Sequence, residues 1–168
     1  KFPSTHSELA QLPGFGPYMS RAVSSIAFNE SVGVVDGNVI RVLSRFYGDN
    51  SEWWKAKVRE RIQIWADDLV QGLSARVVNQ AIMDLGAMVC TRTQPQCAFC
   101  PLKKGCWAFR EGTQETLPRK RPSRIKEIWC WKPQILRKGK YIGLVLNQDQ
   151  LPFLKKQWVL PGLAQRQE

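Results

Sequence analysis

Residues 34–46 read VVDGNVIRVLSRF and place one acid directly before an apolar run. Within that run, Val39, Val42, Leu43 and Phe46 follow the i, i+3, i+4, i+7 spacing of one helix face. We therefore predict a helix that begins near Asn38. Asp36 then stands where an aspartate commonly caps a helix. The same position suits a carboxylate that must stay ionised, because backbone donors and the helix dipole favour its charged form.

Apolar periodicity predicts further helices on both sides of this one. The capping-box pair Thr5 and Glu8 indicates a short helix to about Gln11, and Pro17 suits the first turn of the next helix. Two later helices are marked by the apolar sets Val58, Ile62, Trp65, Leu69 and Ile82, Leu85, Val89. No convincing strand is predicted before residue 125, so we expect the first part of the chain to be all-helical.

The segment LPGFG at residues 12–16 separates the first two predicted helices. Its glycines allow a tight turn and a close approach to a ligand, because no Cβ stands in the way. Amide groups at the start of the following helix could then hold an anion, and the natural anion for a basic protein is a DNA phosphate. The pattern equally fits a simple turn between helices.

Four of the five cysteines lie close together, with the spacing C-x6-C-x2-C-x5-C. They are Cys90, Cys97, Cys100 and Cys106. Four soft thiolates suit either zinc or an iron–sulfur cluster. Structural zinc sites gather ligands as two close pairs, whereas only one close pair occurs here, which favours iron–sulfur. Cys130 stands apart in a strand-like run and is predicted to be a packed apolar residue.

The chain of 168 residues carries 25 Lys and Arg against 14 Asp and Glu, a formal net charge of +11. Such an excess favours binding to polyanions through counterion release. The apolar content of 43% is sufficient for a globular core. No apolar run is long enough for a bilayer and no N-terminal leader is apparent, so we expect an intracellular protein that does not bind membranes.

The composition becomes polar and basic over residues 110–126, which we predict to be a linker. The cations of its second half could also contact phosphate or a partner. The residues before it, 1–109, form the predicted helical domain. Residues 127–168 contain three strand-like runs, at 128–131, 141–146 and 158–160. This segment has too few residues for an independent core to be predicted.

These elements together resemble the helix-hairpin-helix DNA glycosylases. The hairpin LPGFG, the acid of VVDGNVIRVLSRF and the four-cysteine loop occur here in that family's order. Residues 79–106, NQAIMDLGAMVCTRTQPQCAFCPLKKGC, are most similar to the adenine DNA glycosylase branch (MutY-type). Near the other end, Trp158-Val159-Leu160-Pro161-Gly162 resembles the beginning of the Nudix-like domain of that branch.

The resemblance implies a mainly α fold: glycosylase helices with an iron–sulfur loop, followed by the start of a Nudix-like α/β domain. It implies a [4Fe-4S] cluster on the four cysteines. By position, Asp36 matches the catalytic aspartate and Asn38 its hydrogen-bonding neighbour. Tyr18 stands where lyase-active relatives carry a lysine, so base removal without efficient strand cleavage is expected. The residues implied in DNA binding are Leu12, Gly14, Phe15, Gly16 and Tyr18.

The implied reaction is hydrolysis of the N-glycosidic bond of adenine mispaired with 8-oxoguanine or guanine in double-stranded DNA. We expect a monomer, bacterial and nucleoid-associated, or nuclear or mitochondrial in a eukaryote. The family's general acid is a glutamate upstream of the hairpin, and neither Glu8 nor Glu30 matches it, so little activity is expected of this chain alone. Two alternatives are a zinc-bound nucleic-acid-binding module without catalysis and a related glycosylase for another damaged base.

Overall fold

A computed structural model describes residues 2–122 and 128–167 of the chain. The chain divides into two compact units, residues 1–121 and residues 122–168. The described part of the first unit is helical and contains no strand. The described part of the second contains only strands and loops. The predicted helix-rich fold with a few small strands is therefore confirmed. Within the described residues, no helix has both the length and the apolar character to cross a membrane.

The described part of the first unit contains six α-helices. They are α1 (His6–Leu9), α2 (Pro17–Phe28), α3 (Gly37–Tyr47), α4 (Ala56–Val70), α5 (Ala75–Asp84) and α6 (Trp107–Arg110). A π-helical turn, Leu85–Val89, follows α5, and 3-10 turns at Cys97–Phe99 and Lys103–Gly105 lie between it and α6. The helix predicted up to the first cysteine therefore reaches it, but its last turn is widened. Such π turns are often found at functional sites.

The predicted helix starts are confirmed by their caps. Thr5 Oγ1 accepts from the Glu8 amide, and Glu8 Oε2 accepts from the Thr5 amide, which completes the capping box of α1. Pro17 occupies the first turn of α2. Asp36 caps α3, which ends at Gly48 in a left-handed conformation with φ 72°. The boundaries of α3 thus follow from the residues at its two ends.

The core of the helical unit lies where α3 packs against α4. Its buried members are Val39, Ile40, Leu43, Ile62 and Ala66. Helix α3 supplies three of these five residues, of which Val39 and Leu43 belong to its predicted apolar face, and Ile62 is fully buried at 0% exposure. Burial of such side chains stabilises the fold by about 1.5–3 kcal/mol each. This packing makes α3 a rigid element and so fixes the position of Asp36 at its start.

The described part of the second unit contains short antiparallel strand pairs. The strands are β1 (Ile128–Pro133), β2 (Arg137–Lys138), β3 (Tyr141–Ile142), β4 (Val145–Leu146), β5 (Trp158–Val159) and β6 (Gly162–Gln167). They pair as β1 with β6, β2 with β3, and β4 with β5. The prediction for Cys130 is wrong, because this residue is exposed. Strand alternation partly covers Trp129 and Trp131 and turns Cys130 to the opposite face.

Candidate functional site

The segment that leads into Asp36 is held by side chains from two other helices. Asn79, which is 4% exposed, donates through Nδ2 to the Val32 carbonyl and accepts through Oδ1 from the Val34 amide, both at 2.9 Å. Asp67 Oδ1 accepts from the Gly33 amide at 2.7 Å. These bonds satisfy backbone groups of a non-helical segment that would otherwise be buried without partners. They also fix the position from which α3 begins.

The Asp36 carboxylate is half-buried and held by two donors. Oδ1 accepts from the Val39 amide at 2.7 Å, which is the capping bond. Oδ2 accepts from Asn38 Nδ2 at 3.1 Å. Both carboxylate oxygens are therefore oriented by α3 itself, while the side chain keeps partial access to solvent. A cap and a catalytic carboxylate are compatible in this arrangement.

Asn38 is itself oriented by an arginine one turn further along α3. Its Oδ1 accepts from Arg41 Nη2 at 2.8 Å. The same guanidinium donates to the Gly86 carbonyl at 2.6 Å and to the Cys90 carbonyl at 2.7 Å. Burial lowers the pKa of Arg41 below its ordinary value, and the neighbouring Cys90 and Asp36 act in the opposite direction. Asp36 is thereby connected through Asn38 and Arg41 to the cysteine loop.

Gly86, within the π-helical turn, allows this approach. A Cβ at this position would lie 2.7 Å from the Asn38 Cβ, which is closer than real side chains come. A larger residue would therefore displace Asn38 from beside Asp36. The glycine of the sequence LGAMV at residues 85–89 is thus required by the packing of the site.

The LPGFG segment forms a tight turn between α1 and α2. The Phe15 amide donates to the Leu12 carbonyl at 3.1 Å, and Gly14 has φ 85°. Proline followed by a glycine of positive φ is the signature of a type II turn. The turn is mostly exposed, and Tyr18 is 46% exposed in the first turn of α2. Among the described hydrogen bonds, none joins Tyr18 to Asp36.

The four clustered cysteines line one small cavity. Arg45 and Lys103 contribute cations to its wall. Within residues 2–122 and 128–167, no three His, Cys, Asp or Glu side chains close around a single metal ion. The donors around the cavity are soft thiol groups without imidazole or carboxylate, a set that suits iron–sulfur clusters and zinc. The residues present therefore fit such a group.

The electrostatics of the cavity depend on the charge of the thiols. Burial raises the pKa of the Cys97 thiol, and repulsion from Cys90, Cys100 and Cys106 raises it further. Arg45 opposes this effect. The four thiols line the same cavity. A positively charged group bound among them would favour the thiolate forms.

A second, larger cavity lies in the same unit and is strongly cationic. Its wall contains Arg41, Arg45, Arg92, Arg119, Lys120 and Arg121, with Glu115 as its acid. Gly37, next to Asp36, also lines it. The segment before Arg119 is packed rather than extended in solvent, since Leu117 is 4% exposed and Trp53 Nε1 donates to the Arg119 carbonyl at 3.0 Å. Residues 123–127 of the predicted linker lie outside the described residues.

Sequence reasoning identified Asp36, Asn38 and the cysteines but missed the arginines between them. The available signal was the pair Arg41 and Arg45, four residues apart on a helix whose other residues are mostly apolar. Glu8 and Glu30 both have structural partners. Glu8 completes the capping box, and Glu30 Oε1 lies 2.9 Å from His6 Nδ1.

Several curated proteins resemble this chain. It is 44% identical over 112 residues to an adenine DNA glycosylase of Schizosaccharomyces pombe, a match that covers 66% of this chain and 24% of the relative. It is 41% identical over 116 residues to the human adenine DNA glycosylase, covering 68% and 21%. It is 32% identical over 150 residues to that of Buchnera aphidicola subsp. Schizaphis graminum, covering 89% and 41%. No family model matches the chain.

A solved structure agrees with these relatives. A thermostable thymine-DNA glycosylase matches with a TM-score of 0.59 and 30% sequence identity, over 66% of this chain and 51% of that structure. The chain spans between about a fifth and two fifths of the length of the three curated relatives described above. Sequence and fold thus agree: the chain belongs to the adenine DNA glycosylases (MutY-type) of the helix-hairpin-helix superfamily and spans part of the length of its members.

Proposed function

We propose that this chain serves in base excision repair, in the hydrolysis of the bond between adenine and deoxyribose. The adenine would be mispaired with 8-oxoguanine or guanine in double-stranded DNA. The observation that carries the proposal is the Asp36 carboxylate, held at the start of α3 by the Val39 amide and the Asn38 amide group. It occupies the position that matches the family's catalytic aspartate.

The proposed reaction needs a carboxylate that stays charged. The adenine must leave the base stack, because its glycosidic bond is not accessible inside a duplex. A proton delivered to the base makes it a leaving group, and the electron pair of the C1′–N9 bond departs with it. The sugar then becomes oxocarbenium-like, and Asp36 stabilises its positive charge. Water adds to C1′ and loses a proton, which leaves an abasic site.

Tyr18 determines what happens after base release. Lyase-active relatives use a lysine amine there to form a Schiff base with the sugar. A phenol cannot form that bond, so the strand should remain intact after base removal. Tyr18 is 46% exposed at the start of α2 and is therefore accessible to a nucleotide. Its proposed role, together with Asn38, is to position the substrate and the Asp36 carboxylate.

Binding of DNA is assigned to the hairpin and to the cationic cavity. The turn at residues 12–16 exposes the start of α2, where the first amide groups of the helix have no partner within the helix. Such helix starts bind phosphate. The cations around the second cavity add attraction for the remaining backbone phosphates. The expected partner is double-stranded DNA, bound by a monomer.

Cys90, Cys97, Cys100 and Cys106 are proposed to hold a [4Fe-4S] cluster. Four protein thiolates leave no coordination position for substrate, so the cluster supplies structural order to the basic loop. We assign the second unit to the beginning of a Nudix-like domain, on the resemblance of residues 158–162.

The test measures recognition of the mispair without turnover, because no residue of the chain matches the family's general acid. The affinity of the 168-residue chain is measured for duplexes that carry one non-hydrolysable 2′-fluoro-adenosine. The duplex with 8-oxoguanine opposite the adenine should bind more tightly than the duplex with thymine opposite it. Equal affinity for both duplexes would contradict the proposed recognition of adenine mispaired with 8-oxoguanine. Iron and zinc analysis of the same sample distinguishes the cluster from a zinc site.

A further inference from the structure

Arg45 is a buried cation that the proposed reaction does not use. It lies near the end of α3 and is only 2% exposed. Arginine is almost never fully buried unless it is paired, because an isolated charge is costly to remove from water. Within residues 2–122 and 128–167, the salt bridges do not include it. A negatively charged partner of Arg45 would therefore have to be a group other than a carboxylate.

The guanidinium of Arg45 is directed at the first cysteine and the residues after it. Nη1 donates to Cys90 Sγ at 3.2 Å and to the carbonyls of Cys90 and Thr91 at 3.3 and 2.7 Å. Nη2 donates to the Arg92 carbonyl at 3.2 Å, and Nε donates to the Leu117 carbonyl at 3.0 Å. One side chain thus fixes the backbone on either side of Cys90 and contacts its sulfur.

The backbone of Arg45 contacts the other end of the same loop. Cys106 Sγ lies 3.6 Å from the Arg45 carbonyl oxygen. The first and the last of the four clustered cysteines therefore both contact one residue of α3. Cys90 and Cys106 are sixteen residues apart in the sequence. Because α3 is anchored in the core, Arg45 holds both ends of the cysteine loop against a rigid element.

The charge of Arg45 suits a cluster of thiolates. Four thiolates bring more negative charge than the iron–sulfide core neutralises, and N–H groups directed at the sulfurs stabilise that excess. Lys103, the other cation of the cavity wall, is exposed and donates instead to the Ala98 carbonyl at 2.8 Å. Arg45 is the buried one of the two and has a cysteine sulfur among its acceptors.

We propose that Arg45 is a positioning residue of the cysteine centre: it fixes Cys90 for ligation and stabilises the negative charge of the bound cluster. The inference rests on the proposed [4Fe-4S] cofactor. A supporting group around a metal ligand contributes about 10-fold to 100-fold to metal affinity. Loss of a buried cation that donates to a ligand sulfur should also lower the reduction potential, because the more negative reduced form loses its compensating charge.

The experiment compares Arg45→Lys and Arg45→Met with Arg21→Met in the 168-residue chain. Arg21 is a matched control, since its side chain is 19% exposed and bonds to Asp67 and the Gly33 carbonyl away from the cysteines. Denaturant is titrated while visible absorption reports the cluster and circular dichroism reports the helices. Iron per chain and reduction potential are measured without denaturant.

The inference predicts that both Arg45 variants lose visible absorption at lower denaturant than helicity, with an about 10-fold or greater loss of cluster affinity. The retained cation of Arg45→Lys should keep the reduction potential nearer to that of the unsubstituted chain than Arg45→Met does. Arg21→Met should unfold earlier but lose both signals together. The inference would be overturned if the Arg45 variants lost visible absorption and helicity together, as the control does. It would also be overturned if their iron content and reduction potential were unchanged. An unsubstituted chain that binds no iron would instead refute the cofactor proposal.

Discussion

Replacement of Asp36 by asparagine separates the charge of this residue from its capping role. Asparagine caps helices about as well as aspartate, and its amide oxygen can still accept from the Val39 amide. The free energy of unfolding should therefore change by less than about 0.5 kcal/mol, whereas Asp36→Ala should lose about 1 kcal/mol. What asparagine removes is the negative charge that the oxocarbenium-like sugar requires.

The size of the effect follows from the exposure of Asp36. A carboxylate about 4 Å from a unit positive charge gains roughly 1 kcal/mol in bulk water and about 4 kcal/mol near a protein surface. Asp36 is half-buried, so its contribution should lie between these limits. Each 1.4 kcal/mol is about tenfold in affinity. Asp36→Asn should thus weaken binding of a cationic sugar analogue by roughly 5-fold to several hundredfold.

The assay compares two duplexes that differ only in one ring. One carries a protonated pyrrolidine nucleotide, which imitates the charged sugar, and the other a neutral tetrahydrofuran nucleotide. The unsubstituted chain should prefer the cationic duplex, and Asp36→Asn should lose that preference while it binds the neutral duplex normally. Asp68→Asn, at an exposed position of α4, is the matched control. An unchanged preference in Asp36→Asn would show that the carboxylate does not face the sugar.

Tyr18→Lys should form a borohydride-trapped adduct with abasic DNA, because its amine can attack the sugar aldehyde. Met19→Lys, 44% exposed in the unsubstituted chain, should trap far less, and equal trapping would contradict the position assigned to Tyr18. Glutamine at Arg119, Lys120 and Arg121 should lower the slope of log affinity against log salt by up to about 3. Glutamine at Arg137, Lys138 and Lys140 is the matched control and should leave most of this salt slope unchanged. An equal change of slope in both variants would contradict a role of the cationic cavity in DNA binding. Burial opposes ionisation of Asp49, but hydrogen bonds from Ser51 and Arg61 outweigh it and hold its pKa below the ordinary value. Stability should therefore be lost as pH falls through the folded pKa, and Asp49→Asn should unfold at a denaturant midpoint that is less sensitive to pH between 6 and about 3.

The parts of the structure that sequence predicts are those set by neighbouring residues. The Thr5 and Glu8 capping box, the turn at residues 12–16 and the cap at Asp36 each depend on side chains within four positions. They appear where the residue types require them. The bond between Asn38 and Asp36 belongs to the same class, because Asp36 is the cap of α3 and Asn38 lies in its first turn.

The parts that sequence did not predict depend on backbone groups brought together by folding. Arg41 and Arg45 bond mainly to carbonyls of residues 86–92 and 117, and a carbonyl leaves no signal in an amino-acid sequence. The close approach of Gly86 to Asn38 of α3 is also a contact between separate segments that only the folded chain shows. Cys130 was misjudged because its neighbours are two tryptophans on the opposite strand face.

Helix α3 connects the parts of the candidate site, because its cap Asp36 and its residues Arg41 and Arg45 all contribute to the site. The Asp36 carboxylate lies at the start of α3, where it accepts from Asn38. Arg41, in the middle of the helix, orients Asn38, and Arg45, near the end of the helix, binds the cysteine loop. The Cys90 carbonyl accepts from both arginines. A displacement of that carbonyl must therefore change the donor that orients Asn38, and through it the Asp36 carboxylate. The order of the cysteine loop and the orientation of the Asp36 carboxylate therefore depend on each other.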